Sequence, residues 1–294
     1  MAPPFSERVK RLPRLGLGVS TEYGAAASPD ALDVETLHAS RPELAAFLEV
    51  GVETARGLDA TSLAWAAKKR PATYHFLDVN LAEPEDVSDE AWLADVRRIA
   101  ALLSPAWMCG DAGLWHVGRR ERGHMLLLPP ILSADSADAM GAGIARLRDA
   151  CGFEVLPENP PGQVYLGDLH LLDFFARVTE RGDTGMLLDC AHLAIFQRAL
   201  GHSPLTGLDG FPLDRVVEMH VAGSASGTTP DGYAYLEDNH VPAVLDDTWA
   251  IFEHVLARAP NLKAVVFECE RNPFAACATG FERIAAALRE TARS

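Results

Sequence analysis

The sequence predicts a (β/α)8 barrel, an α/β fold of the TIM-barrel class, in one domain. Three observations carry that expectation. Short apolar runs of strand length recur along the chain, helical patterns lie between them, and the 294-residue length suits one such barrel, typically about 250 residues, with modest insertions.

The strand candidates are Leu15 to Ser20, Phe47 to Glu53, Ala72 to Leu77, Ala106 to Ala112, Phe153 to Asn159, Gly185 to Cys190, Val216 to Gly223 and Ala264 to Glu270. Their hydrophobicity is mostly continuous rather than alternating, which is the pattern of strands buried on both faces in a parallel sheet covered by helices. Helical patterns, with apolar residues at three- and four-residue steps, are clearest over Asp89–Ser104, Ser136–Ala150, Leu169–Gly182, Asp246–Ala259 and Gly280–Ala292. Strand followed by helix, repeated about eight times, is the order of the barrel.

No low-complexity tract or linker divides the chain, so residues 13–294 are expected to form a single domain. Residues 1–12, MAPPFSERVKRL, are polar, basic and proline-bearing and are expected to be a flexible lead-in rather than a signal peptide. No run is long enough to span a bilayer. Cys109, Cys151, Cys190, Cys269 and Cys277 are odd in number and show no framework spacing, which points to a reducing cytoplasm. A formal net charge of −15 disfavours nonspecific binding to a phosphate backbone, so nucleic acid is not an expected partner.

Residue types that ligate metals fall at the ends of the apolar runs: His75, Glu158, Asp189 with His192, His220, Asp238 with His240, and Glu268. Each alone has an ordinary explanation. His75 can be a hydrogen-bonded strand residue, Glu158 a loop anchor, Asp189 a helix cap, and Asp238 and His240 solvated loop residues. Glu218 and His220 share a strand face, as do Glu268 and Glu270, and two like charges directed into a barrel end are costly without a compensating cation. All of these at the carboxyl ends of successive strands is the composition of a multinuclear site in a barrel mouth.

The segments YHFLDVNL, LPENPPG, LLDCAHL, EMHVAG, DNHVPAVLDDTWAIFEHVL and VVFECERNPF, in that order and spacing, resemble the multinuclear non-haem iron-dependent oxidases of the methanobactin-biosynthesis type. That barrel is related to endonuclease IV and the xylose isomerase-like proteins. LGLGVSTEYG and FLEVGVE are similar to the family's first two strands, so the likeness spans nearly the whole chain. It implies three neighbouring metal positions. The first would use His75 and Glu158 with a strand-four ligand. The second would share Glu158 and add Asp189, His220 and Glu268. The third, with His192, Asp238 and His240, has the two-histidine, one-carboxylate set that suits ferrous iron. Two departures stand out. Asp189/His192 has the endonuclease IV form rather than Asp-x-x-Asn, and strand four reads Gly110-Asp111 where the family usually reads Glu-His. Asp111 supplies an oxygen ligand and a charge in place of a neutral imidazole.

The resemblance implies an enzyme that uses two or three irons and O2 to modify a cysteine or C-terminal residue of a ribosomally made precursor peptide, with a leader-binding partner protein. Glu158, His192, His240 and Glu270 are expected to carry the chemistry. Glu22, Glu53, Asn159, Trp115 and His116 are further candidates for lining or supporting the site. The rivals are a zinc- or manganese-dependent phosphodiesterase, a sugar isomerase on the same barrel, and an inactive metal-binding scaffold.

Overall fold

The structure, a computed structural model, describes residues 3–21, 24–28, 30–118 and 126–291. The strands are β1 (Gly16–Thr21), β2 (Leu48–Val52), β3 (Ala72–Phe76), β4 (Met108–Asp111), β5 (Val155–Glu158), β6 (Met186–Asp189), β7 (Val216–Ala222), β8 (Ser224–Thr228), β9 (Ala234–Asp238) and β10 (Ala264–Glu268). Eight of them close into a barrel in the order β1-β10-β7-β6-β5-β4-β3-β2, and every barrel pairing is parallel. The expected (β/α)8 fold is borne out, and each expected strand matches an observed one to within two residues at either end.

Strand periodicity divides the apolar residues between two cores. Tyr74, Met108, Val155, Leu188, Met219, Val221 and Phe267 point outward and pack under the helices. Phe47, Trp107, Cys109, Leu156, Leu187, Val217 and Val266 point inward and fill the lower barrel. The apolar filling stops below the mouth, so the upper interior is left to polar side chains.

Within the segment expected to be a flexible lead-in, residues 3–12 are described, and they correct that expectation. Phe5–Arg8 form a helical turn continued by a 3-10 turn over Val9–Arg11. Phe5 and Val9, four apart and hence on one helical face, are buried in the inner cluster with Phe47 and Trp107. The arginine between them is partnered rather than solvated: Arg8 Nε lies 2.5 Å from Glu154 Oε1, and Arg8 Nη1 lies 3.1 Å from Asp183 Oδ2. The segment is the floor of the barrel.

After β7 the chain makes an antiparallel hairpin, β8 paired with β9, before the helix Asp246–Leu256. Gly223 permits this insertion, because a Cβ there would sit 1.8 Å from the carbonyl oxygen of Val241, while the Val241 N–H donates to Gly223 O at 3.2 Å. The close crossing folds the end of β9 back over the mouth and carries Asp238 and His240 with it. Among the described residues no helix is long and apolar enough to cross a membrane.

Candidate metal centre

Parallel strands present their carboxyl ends on one side, so Asp111, Glu158, Asp189 and Glu268, each the last residue of its strand, are brought to one mouth. Register aligns them: Asp111 is level with Glu158, and Asp189 with His220. Asp111, Glu158 and Glu268 line a cavity of about 210 Å³ together with His75, His192, Asp238, His240, Glu49 and Glu270, and Asp189 is fully buried beside it, with Oδ2 3.9 Å from His192 Nε2.

His75 Nε2 is 2.8 Å from Glu158 Oε2, and His75, Asp111 and Glu158 each offer a ligand atom within 4.8 Å of the others. His220 Nδ1 faces three carboxylates: Glu158 Oε1 at 3.3 Å, Glu268 Oε1 at 3.3 Å and Asp189 Oδ2 at 3.8 Å. Beside them, His192 Nε2 is 3.0 Å from Asp238 Oδ2 and His240 Nε2 is 3.5 Å from the same oxygen. The three groups implied by the resemblance are thus brought together in space, with Glu158 common to the first two. Among the described residues, Asp111 Oδ1, Asp189 Oδ2, His220 Nδ1 and Nε2, Asp238 Oδ1 and Glu268 Oε2 are buried with no hydrogen-bond partner. Orphaned buried lone pairs of this number are costly unless a cation takes them. The donors are imidazoles and carboxylates, which fit iron, zinc or manganese.

The electrostatics express the same crowding. Burial opposes the imidazolium of His75, but Glu158, Glu49 and Asp111 outweigh it and hold its pKa at about 9. Burial likewise opposes charge on His192, His220 and His240, and the surrounding carboxylates still raise each well above the ordinary value. Burial, with Glu158, pushes Asp111 well up. Asp189 is raised to about 7 by burial, against the pull of His192. In Glu158 burial is overcome by His220 and His75, and its pKa is lowered. Protons on the histidines and a metal ion are competing ways of balancing one charge.

Local structure fixes these groups. Asp189 caps the helix Cys190–Ala199, accepting from the His192 N–H at 2.6 Å. Asn159 holds both ends of that turn: its side chain donates to Asp189 O at 2.9 Å and accepts from Asp189 N at 3.0 Å, and its carbonyl lies 2.8 Å from His192 Nδ1. Glu270 lies 3.0 Å from His240 Nδ1. His240 sits at φ 51°, a strained backbone for a non-glycine residue. Gly110, beside Asp111, is required by the barrel: a Cβ would meet the Phe76 carbonyl oxygen at 2.6 Å.

Other candidates are placed differently. Trp115 lines the cavity, but His116 turns away, with Nε2 3.0 Å from Asp86 Oδ2. Glu53 pairs with Arg56 at 3.0 Å and does not line the cavity. Glu22 lies outside the described residues. Sequence reasoning missed Glu49, buried on β2 and 2.9 Å from His220 Nε2. It stands two residues before Gly51 on the same strand face, within an apolar run, and the charge in that run was the available signal.

Residues 31–288 match the family described as the RiPP precursor modification enzyme MbnB/TglH/ChrH, where RiPP denotes a ribosomally synthesised and post-translationally modified peptide. The chain belongs to this family. The resemblance read from the sequence is borne out. A UPF0276 protein of Caulobacter vibrioides is 29% identical over 252 residues, covering 84% of each chain. Among solved structures, a xylose isomerase-like TIM barrel protein from Mycobacterium smegmatis in complex with magnesium is similar in fold, with a TM-score of 0.56 at 14% identity over 96% of this chain and 98% of that one. The IOLI protein with a bound zinc atom has a TM-score of 0.54 at 11% identity, over 94% and 96% of the two chains. The MbnB/TglH/ChrH family acts on RiPP precursor peptides.

Proposed function

We propose that this protein is an iron- and O2-dependent oxidase that modifies a residue of a ribosomally made precursor peptide at the barrel mouth, a cysteine or a C-terminal residue. The observation that carries the reading is the convergence at one barrel mouth of His75, Asp111, Glu158, His192, Asp238, His240 and Glu268, which line the cavity, with the fully buried Asp189 and His220 against them, and with six of these residues' atoms buried and unpartnered among the described residues. His75, Glu158 and Asp111 would hold one iron, Glu158, Asp189, His220 and Glu268 a second, and His192, Asp238 and His240 a third.

When bound, the irons supply the redox chemistry and activate O2. The chain's own residues supply the rest. Glu270, 3.0 Å from His240 Nδ1, holds a proton there and leaves Nε2 to face the cavity. The Asn159 carbonyl does the same for His192 Nδ1 at 2.8 Å, so both imidazoles are fixed as ligands through Nε2. Leu77, Trp115, Leu127 and Pro161 form the apolar part of the lining and exclude water around the peptide side chain. Recognition of an extended peptide needs more surface than this mouth offers, and we assign it to a leader-binding partner protein.

The test is iron content and O2 consumption by anaerobically purified protein given a cysteine-containing peptide encoded beside it. The expected result is two to three irons per chain and peptide-dependent O2 uptake. Zinc or manganese occupancy with oxygen-independent phosphodiester cleavage would overturn it in favour of a hydrolase. Peptide binding without turnover would identify a scaffold.

A further inference from the structure

Beneath the mouth lies a second tier of buried polar groups that the proposed chemistry leaves unused. Glu49 on β2 reaches across the barrel to His220 on β7, three strands away in the closed sheet. Glu49 Oε1 lies 2.9 Å from His220 Nε2. Its other oxygen, Oε2, is fixed from below, accepting from Cys109 Sγ at 3.2 Å and from Thr73 Oγ1 at 3.5 Å. The two nitrogens of His220 therefore face different carboxylates at ion-pair distance, Nε2 one that is anchored in the barrel and Nδ1 the three of Glu158, Asp189 and Glu268, and neither nitrogen has a hydrogen-bond partner among the described residues.

We propose that Glu49 is the positioning residue of His220: with metal bound, its carboxylate accepts a hydrogen bond from Nε2–H, so that the imidazole presents Nδ1 to the metal shared with Glu158, Asp189 and Glu268. This rests on the reading of His220 as a metal ligand. A ligating histidine whose far N–H is held by a carboxylate is locked in tautomer and orientation and is a stronger donor, and losing that partner lowers metal affinity by about 10–100-fold. Glu49 also comes within 4.8 Å of ligand atoms of His220 and Glu268, so a direct bond from Glu49 to the metal is the competing arrangement. The two assign the histidine proton to opposite nitrogens.

The experiment uses full-length protein loaded with zinc, whose diamagnetism permits 15N NMR of the histidine rings and whose readout involves neither iron nor O2. The expected result is a His220 ring protonated at Nε2 and metallated at Nδ1. Glu49→Gln, whose amide oxygen still accepts from Nε2–H, should retain that pattern with a small loss of zinc affinity, and Glu49→Leu should lose about 10–100-fold at this position. A ring metallated at Nε2, wild-type affinity in Glu49→Leu, or an equal loss in both variants would overturn the proposal. If Glu49→Leu fails to fold, the wild-type tautomer and Glu49→Gln still decide. Wild-type protein that takes up no divalent metal would refute the metal-centre reading itself, whereas zinc bound with the opposite tautomer refutes only the role of Glu49.

Discussion

His192 has one nitrogen on a backbone carbonyl and the other facing Asp238 and Asp189, at 3.0 and 3.9 Å. Few side chains could replace it in the proposed site: the ring would bind through Nε2 while its backbone N–H is taken by Asp189. His192→Ala or His240→Ala is expected to lower metal content by one ion per chain and to abolish turnover, measured by elemental analysis beside peptide-dependent O2 uptake. Full metal content with full activity would show that His192, Asp238 and His240 do not form a metal position. Asp111 bears on a different question. Replacing it by histidine exchanges a buried, charge-raising carboxylate, itself pushed up by burial and Glu158, for the imidazole usual in the family. Asp111→His is expected to keep metal occupancy at the His75–Glu158 position and to change its spectroscopic signature. Lost occupancy would mean that this position requires the oxygen donor of Asp111.

At the scale of elements, the N-terminal turn and the β8–β9 hairpin are additions to a plain barrel, one at each end. Phe5 is 2% exposed within the inner cluster, so Phe5→Ala is expected to destabilise the fold by about 3–5 kcal/mol through lost burial and the cavity left behind. Urea denaturation measures this, and a change under about 1 kcal/mol would show that the turn does not seal the floor. Gly223→Ala tests the other end. Its Cβ would meet the Val241 carbonyl at 1.8 Å, so the return of the hairpin must shift, and with it Asp238 and His240. The expected outcome is a folded barrel with metal loss confined to the third group, read by elemental analysis and circular dichroism.

For the whole molecule, the mouth couples stability, pH and metal. His75 is raised from the ordinary 6.5 to about 9, so the folded protein holds a proton that the unfolded chain has released within that interval. That contribution is complete below about pH 6.5 and is lost as pH rises toward 9. Metal-free protein is therefore expected to lose thermal stability as pH rises from 6.5 to 9, and metal-loaded protein, in which the cation replaces the proton, to be flatter across the same interval. Calorimetry with and without chelator measures the difference, and parallel curves would show that His75 is not a ligand.

The sequence by itself determined the architecture, because apolar continuity reports strands buried on both faces and three- and four-residue steps report helices, and both are local properties. It also marked the ligand types at strand ends, since the closed parallel sheet sends every such end to one mouth. What only the tertiary structure decided were pairings across the barrel. Glu49 belongs to the same pocket as His220, 171 positions later in the numbering, and a charge inside an apolar run carries no sign of the partner it will meet. Phe5 and Val9 read in the sequence as part of a flexible lead-in because the acids that hold Arg8, Glu154 and Asp183, are brought near only by barrel closure. Asp238 and His240 reach the mouth because a glycine crossing folds a hairpin over it, and that close approach of two backbones is a contact between segments, which no single segment encodes.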